Sequence, residues 1–394
     1  MIGKSCFHLI RRSGLIISFF CVLLFFLCGC FGDSSNSQSA ISEEQPVAPN
    51  EVPLYNDWEI TESTPLLNPD GTLAAWGWAR HALLEYDRDF IQQSQADRLK
   101  EWDFFSISSP DCYMEITLAD ITWAVLVSVS LVDYQTGQTT SNLRFLLNSD
   151  LLNLPPEPYG STLFDRWGVH VSFAFEDAIR TLSFDFARSL LFGPPISGEV
   201  EILDDPQDES LVTAMPFYQP DIFFYTNKIV ALPACGSVEA DGRVYTFPQG
   251  ESYAVLDWGR GVWPEEFVWG WAVAAGEVDG KRLGFNIGFG DEDNSRASGN
   301  SVVYDGVLHK LGEIDWTYDP QDIMQPWHFK SLDGRFDMVL EPFFDQSNKI
   351  DLIIYFMDTI KVHGNVSGHV VLDDGPVVEI HNFLGFAEHA FQKW

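Results

Sequence analysis

Two short runs hold the side chains best suited to chemistry. The first is Asp257-Trp258-Gly259-Arg260-Gly261-Val262-Trp263. A carboxylate and a guanidinium this close can serve as an acid and an anion-orienting cation at a pocket mouth, or can form a partly buried ion pair that holds a bulge. In a regular strand Asp257 and Trp258 face opposite ways. The glycines at 259 and 261 permit bends, so the side taken by Arg260 stays open. The second run is Glu388-His389, near the C-terminus. A carboxylate beside an imidazole that titrates near neutrality suits general acid–base catalysis. Strand neighbours face opposite ways, however, which suits a hydrogen-bonded structural histidine equally well. Asp257, Glu388 and His389 are the candidate proton-moving residues.

A third group is aromatic and depends on one turn. With Asp279-Gly280 as a two-residue loop, Val278 sits opposite Lys281. Ala274 then faces Phe285, Ala272 faces Ile287 and Gly270 faces Phe289. On the other face Trp269 meets Gly290, Trp271 meets Gly288 and Val273 meets Asn286. Large residues meet small ones throughout, as packed strands require. Neither face is polar, so the pattern predicts a hairpin covered on both sides. The indoles either cover strand glycines inside a core or form the flat wall of a ligand pocket, with Asn286 orienting the guest. The candidate ligand-binding residues are Trp258, Arg260, Trp263, Trp269, Trp271 and Asn286.

The elements that must position these groups read as strands. β-Branched and aromatic residues fill Trp102–Ser108, Cys112–Leu118, Trp123–Tyr134, Val169–Phe175, Leu182–Phe186, Ile222–Val230, Phe267–Ala275, Leu283–Phe289 and Asp351–Phe356. Asp-Gly turn signals recur, at Asp241-Gly242, Asp305-Gly306, Asp333-Gly334 and Asp374-Gly375 among others. The Asp333-Gly334 hairpin places Lys330 opposite Asp337. Short helices are expected at Asp89–Lys100 and Asp177–Leu182. Many short strands with regular turns predict an all-β fold of antiparallel sandwiches or barrels.

Composition narrows the function. Of 394 residues, 57 are acidic and 23 basic, for a formal net charge of −34, and 46% are hydrophobic. Such a chain folds, and it lacks the basic stripe that nucleic acid requires. A charge this large also favours a monomer. No P-loop, nucleophile elbow or HExxH occurs. The acidic run Asp291-Glu292-Asp293-Asn294 has Arg296 where a calcium loop needs its turning glycine and Val302 at the closing position. No metal or other cofactor is expected.

The N-terminus is an address. Lys4, Arg11 and Arg12 precede an apolar run from Leu15 to Leu27 that ends in Leu27-Cys28-Gly29-Cys30. The run is shorter than the roughly 20 residues that span a bilayer but suits a secretory signal. The ending resembles the bacterial lipoprotein signal, which implies removal of residues 1–29 and a lipid on Cys30. Phe31 follows, which favours the outer membrane as destination. Residues 30–53 read as a flexible tether of Ser, Asn, Gln, Glu and Pro. Outside the signal and Cys30, only Cys112 and Cys235 remain. In an oxidising compartment they either pair or serve as small core residues.

Several segments together resemble a bacterial family known as domain of unknown function 2804. They are Trp102-Asp103-Phe104-Phe105 through Asp111, Leu118-Ala119-Asp120, Val255 through Pro264, Gly284 through Asp291, Asn300 through His309, and Gly385-Phe386-Ala387-Glu388-His389 through Trp394. The resemblance covers Leu66 to Trp394. It implies a relation to tandem lipocalin-like proteins, carotenoid hydratases and tocopherol cyclase among them, and so two β halves with a cavity in or between them. Those halves are expected at 54–230 and 231–394. Fold does not fix function, so three readings stand. The first is a membrane-anchored protein that holds a small hydrophobic or amphipathic molecule. The second is a hydratase, isomerase or cyclase acting on a lipid or isoprenoid, which needs an ionisable group inside the cavity. The third is an envelope scaffold without ligand.

Overall fold

The computed structural model describes residues 58–92, 95–148, 151–352 and 355–393. The expected signal, Cys30 and the tether lie outside these residues. Two antiparallel sheets follow one another along the chain, the all-β tandem architecture that the strand pattern and the family resemblance predict. The first runs in the order Gln138–Leu146, Val125–Asp133, Cys112–Asp120, Leu99–Ser108, Tyr253–Val262, Ile222–Ala240, Ile196–Leu203, Ile179–Phe186, Val169–Glu176 and Thr162–Arg166. The second runs Val307–Lys310, Ser301–Tyr304, Lys281–Gly290, Glu266–Val278, Val377–Lys393, Tyr355–Val371, Phe336–Asp345, Trp327–Ser331 and Ile314–Thr317.

Local chemistry explains most of this. Asp279 and Gly280 both take positive φ, and the hairpin pairs Val278 with Lys281, Trp271 with Gly288 and Val273 with Asn286, in the expected register. Lys330 pairs with Asp337 at 3.1 Å. Three expectations change. Asp89–Lys100 forms two single 3₁₀ turns, Arg88–Phe90 and Ala96–Arg98, before strand Leu99–Ser108 starts. Asp177 and Ala178 make a positive-φ turn, so Ile179 to Leu182 is strand rather than helix. Asp351–Phe356 is divided between strands Asn348–Leu352 and Tyr355–Val371.

The two sheets do not separate at 230/231. Strand Ile222–Ala240 runs through that point, and Tyr253–Val262 lies in the first sheet between Ile222–Ala240 and Leu99–Ser108. What residue 231 does mark is a bend. Ala231 has φ +58, the pairing with Tyr253–Val262 slips between Ile229 and Leu232, and a Cβ on Gly284 of the second sheet would lie 2.9 Å from that of Ala231. The bulge therefore presses one sheet onto the other.

One hydrophobic cluster fills the first sheet's interior and extends into the seam between the sheets through Trp271, Val273 and Phe386. A second lies on the far face of the second sheet, around Phe285, Trp327 and Phe329. The long hairpin is thus buried on both faces, as its sequence predicts. Among the described residues no helix is long and apolar enough to cross a membrane. Cys112 and Cys235 are both free thiols, Cys112 buried and Cys235 partly so.

Candidate functional site

Strand registers decide which side chains share the seam. Directly paired residues lie on one face of a sheet. From the first sheet the seam face carries Lys228, Asp257, Phe104 and Thr117, with Val255, Ser106 and Glu115 one step along. From the second it carries Trp269, Trp271, Asn286, Glu388, Lys361 and His363. Ring contacts between Phe104 and Trp271, at 5.7 Å, and between Tyr113 and Phe386, at 5.9 Å, close the two faces on each other.

Two ionic groups sit in this apolar seam. Lys228 Nζ lies 2.6 Å from Asp257 Oδ2 and 4.4 Å from the centre of the Trp271 ring. Lys361 Nζ lies 2.7 Å from Glu115 and 3.8 Å from Glu388, and donates to the Tyr113 hydroxyl at 3.2 Å. Trp269 Nε1 donates to Glu388 at 2.8 Å. Burial raises the Glu388 carboxyl above the usual range, against the opposing charge of Lys361. His363 continues the network: its Nδ1 meets the Tyr134 hydroxyl at 3.0 Å and its Nε2 meets Gln346 at 2.7 Å. The Gln346 amide donates onward to Glu115 at 3.2 Å. Burial, with Lys361 nearby, holds His363 well below its ordinary value, so it is neutral at pH 7.

A cleft of about 260 Å³ opens in the same seam, farther along the strands. Val255, Val273, Ala275, Phe383 and Leu384 give it apolar walls, and Ser106, Ser108, Glu251, Glu277 and Asn382 add polar groups. Val255 is two residues from Asp257, Val273 two from Trp271 and Leu384 two from Phe386. One such step along a strand is about 6.6 Å, so the cleft ends close beside the ionic groups.

The sequence-derived candidates divide between four places. Asp257, Trp269, Trp271, Asn286 and Glu388 face the seam. Asn286 is bonded through both amide atoms, accepting from Trp271 Nε1 at 2.7 Å and donating to the Gly299 carbonyl at 2.5 Å. Trp258 and Arg260 face the opposite way, into the interior of the first sheet. Arg260 is fully buried, stacks on Trp258 with 4.2 Å to the ring centre, and donates to Asp103 at 3.0 Å and to the carbonyls of Trp102 and Pro155. Trp263 packs among Trp102, Phe217, Phe224 and Phe267. His389 lies behind the second sheet, against Phe289 and hydrogen-bonded to Tyr318 at 2.6 Å. Glu388 and His389 thus never meet. None of these nine residues is among those that line the cleft. The seam residues that sequence reasoning missed are Glu115, Lys228, Lys361 and His363. Their only signal is a polar residue at an alternate position of an apolar strand, visible at Lys361-Val362-His363.

A family model described as a domain of unknown function (DUF2804) matches residues 57–394. The chain belongs to this family. Among solved structures, CghA aligns at 10% identity with a TM-score of 0.49, over 74% of this chain and 88% of CghA. An AttH-type protein (NE1406) from Nitrosomonas europaea aligns at 11% identity and 0.44, over 78% and 96%. Kievitone hydratase from Nectria haematococca aligns at 9% and 0.40, over 75% and 88%. No curated protein matches the chain. These structural likenesses are distant, and none carries an activity over.

Proposed function

We propose that this DUF2804 protein is a lipid-anchored envelope protein that holds a small hydrophobic or amphipathic molecule in the seam between its sheets. The observation that carries the reading is the cleft, whose walls are apolar and whose remaining lining is polar. Its volume of about 260 Å³ lies just under the usual range for ligand pockets, so the guest is small or leaves one end outside. The Leu27-Cys28-Gly29-Cys30 signal supports the anchor. Native mass spectrometry of the protein purified from its own host tests the reading. The expected result is a retained small molecule that Val273→Trp, which fills the cleft, abolishes while the thermal transition stays cooperative. A protein that is consistently empty leaves the scaffold reading instead.

An enzyme acting on the same guest is the second reading. It needs an ionisable group in the cavity, and Asp257, Glu388 and His389 all lie outside the cleft lining. It stands only if the guest reaches past the end of the cleft to the Glu388 carboxyl, which burial raises above the usual range. A retained molecule whose mass is the same in wild type and in Glu388→Gln supports the binder. A guest found altered only in the wild type supports the enzyme.

A further inference from the structure

The cleft in the seam grades from apolar to acidic. Val255, Val273 and Phe383 on its walls are buried. Pro110, Glu251, Glu277 and Asn382 are exposed, and so mark its mouth. Strand alternation puts Glu277 on the same face as Trp271, Val273 and Ala275. Glu251 stands just before strand Tyr253–Val262, whose first residue also lines the cleft. These two glutamates are the only charged residues in the lining.

Two acids alone would be unremarkable in a chain where acids outnumber bases 57 to 23. The bases around the cleft are what decide its preference. Arg282 stands directly opposite Glu277 on the neighbouring strand, yet binds Asp208 at 2.7 Å. At the inner end Lys228 binds Asp257 at 2.6 Å, Lys361 binds Glu115 at 2.7 Å, and His363 is neutral. Asp111 and His381, next in sequence to Pro110 and Asn382, are exposed and outside the lining. Among the described residues, neither Glu251 nor Glu277 is paired with a base. An anionic headgroup entering here meets two carboxylates and no available cation. A cationic headgroup meets two uncompensated acids where the apolar walls end, so the mouth attracts one class and repels the other.

We propose that the guest of the cleft is an alkylammonium amphiphile. Its chain lies against Val255, Val273 and Phe383, and its amine donates to Glu251 and Glu277. The same two carboxylates turn away fatty acids and other anionic amphiphiles. This deepens the reading that the cleft holds a guest, and rests on it.

The test is calorimetric titration of the full chain with octylammonium, octanol and octanoate, which share one chain and differ in headgroup charge. Octylammonium is expected to bind at least about fivefold more tightly than octanol, and octanoate more weakly than either. Glu251→Gln with Glu277→Gln, both at exposed positions, should bring octylammonium to the affinity of octanol and leave octanol unchanged. Val273→Trp should abolish binding of octylammonium and octanol alike. If circular dichroism shows that variant unfolded, Leu384→Trp, at a partly buried position in the same lining, takes its place. Octanol or octanoate binding as tightly as octylammonium overturns the headgroup assignment and leaves the cavity reading standing. Octylammonium that still binds the filled cleft, or that ignores the double glutamine variant, also overturns the assignment, since it then adsorbs to the acidic surface at large. Failure of all three probes to bind overturns both the assignment and the cavity reading.

Discussion

Among the described residues, Lys361 is the one cation reaching both Glu115 and Glu388 in the seam, at 2.7 and 3.8 Å. Removing one partner of a buried charge pair leaves the other desolvated and uncompensated, which costs about 3–5 kcal/mol. Lys361→Met is expected to lower stability by an amount of that order, measured as a shift in the urea midpoint. Its neighbour His363 gives a pH signature. The folded state holds it neutral, well below its ordinary value, so on acidification the unfolded chain takes up the proton first. Its contribution is therefore lost as pH falls from about 6.5. Thermal unfolding followed between about pH 7 and pH 5 should show the melting temperature falling less steeply in His363→Gln than in the wild type. An equal slope in both would assign the acid limb to other groups.

At the scale of elements, strands and local turns were legible because both signals are short-range. Alternation marks the strand, and Asp-Gly fixes a two-residue loop from which every pair in 266–290 follows. The expected helix at Asp177–Leu182 failed for a complementary reason: Asp177-Ala178 makes the same positive-φ turn without a glycine to announce it. The bulge at Ala231 was equally silent, since alanine rarely adopts φ +58. Its contact with Gly284 yields a prediction. Gly284→Val adds side-chain atoms where a Cβ alone already lies 2.9 Å from that of Ala231. Overpacking of this kind costs about 1–3 kcal/mol, and the midpoint of chemical unfolding should fall accordingly. An unchanged midpoint would mean that the sheets slide apart freely at the bulge.

The whole molecule resists division where the sequence suggests it. A break after residue 230 cuts strand Ile222–Ala240 and removes Tyr253–Val262 from between its two partners. A fragment of residues 54–230 is therefore expected to show no cooperative thermal transition by circular dichroism, whereas the full chain should melt in one step. A cooperative fragment would show that the first sheet closes without Tyr253–Val262. The seam was illegible in the sequence for this same reason. Glu115 and Lys228 stand far along the chain from each other and from the Tyr355–Val371/Val377–Lys393 hairpin that carries Lys361 and Glu388, and only long-range pairing and sheet packing gather them. That pairing also has a temporal consequence. During synthesis Leu99–Ser108 emerges early, yet the segment that covers its open side follows roughly 150 residues later. Until then a nascent chain bares an apolar border inviting stray partners, so its maturation should lean on a holding chaperone.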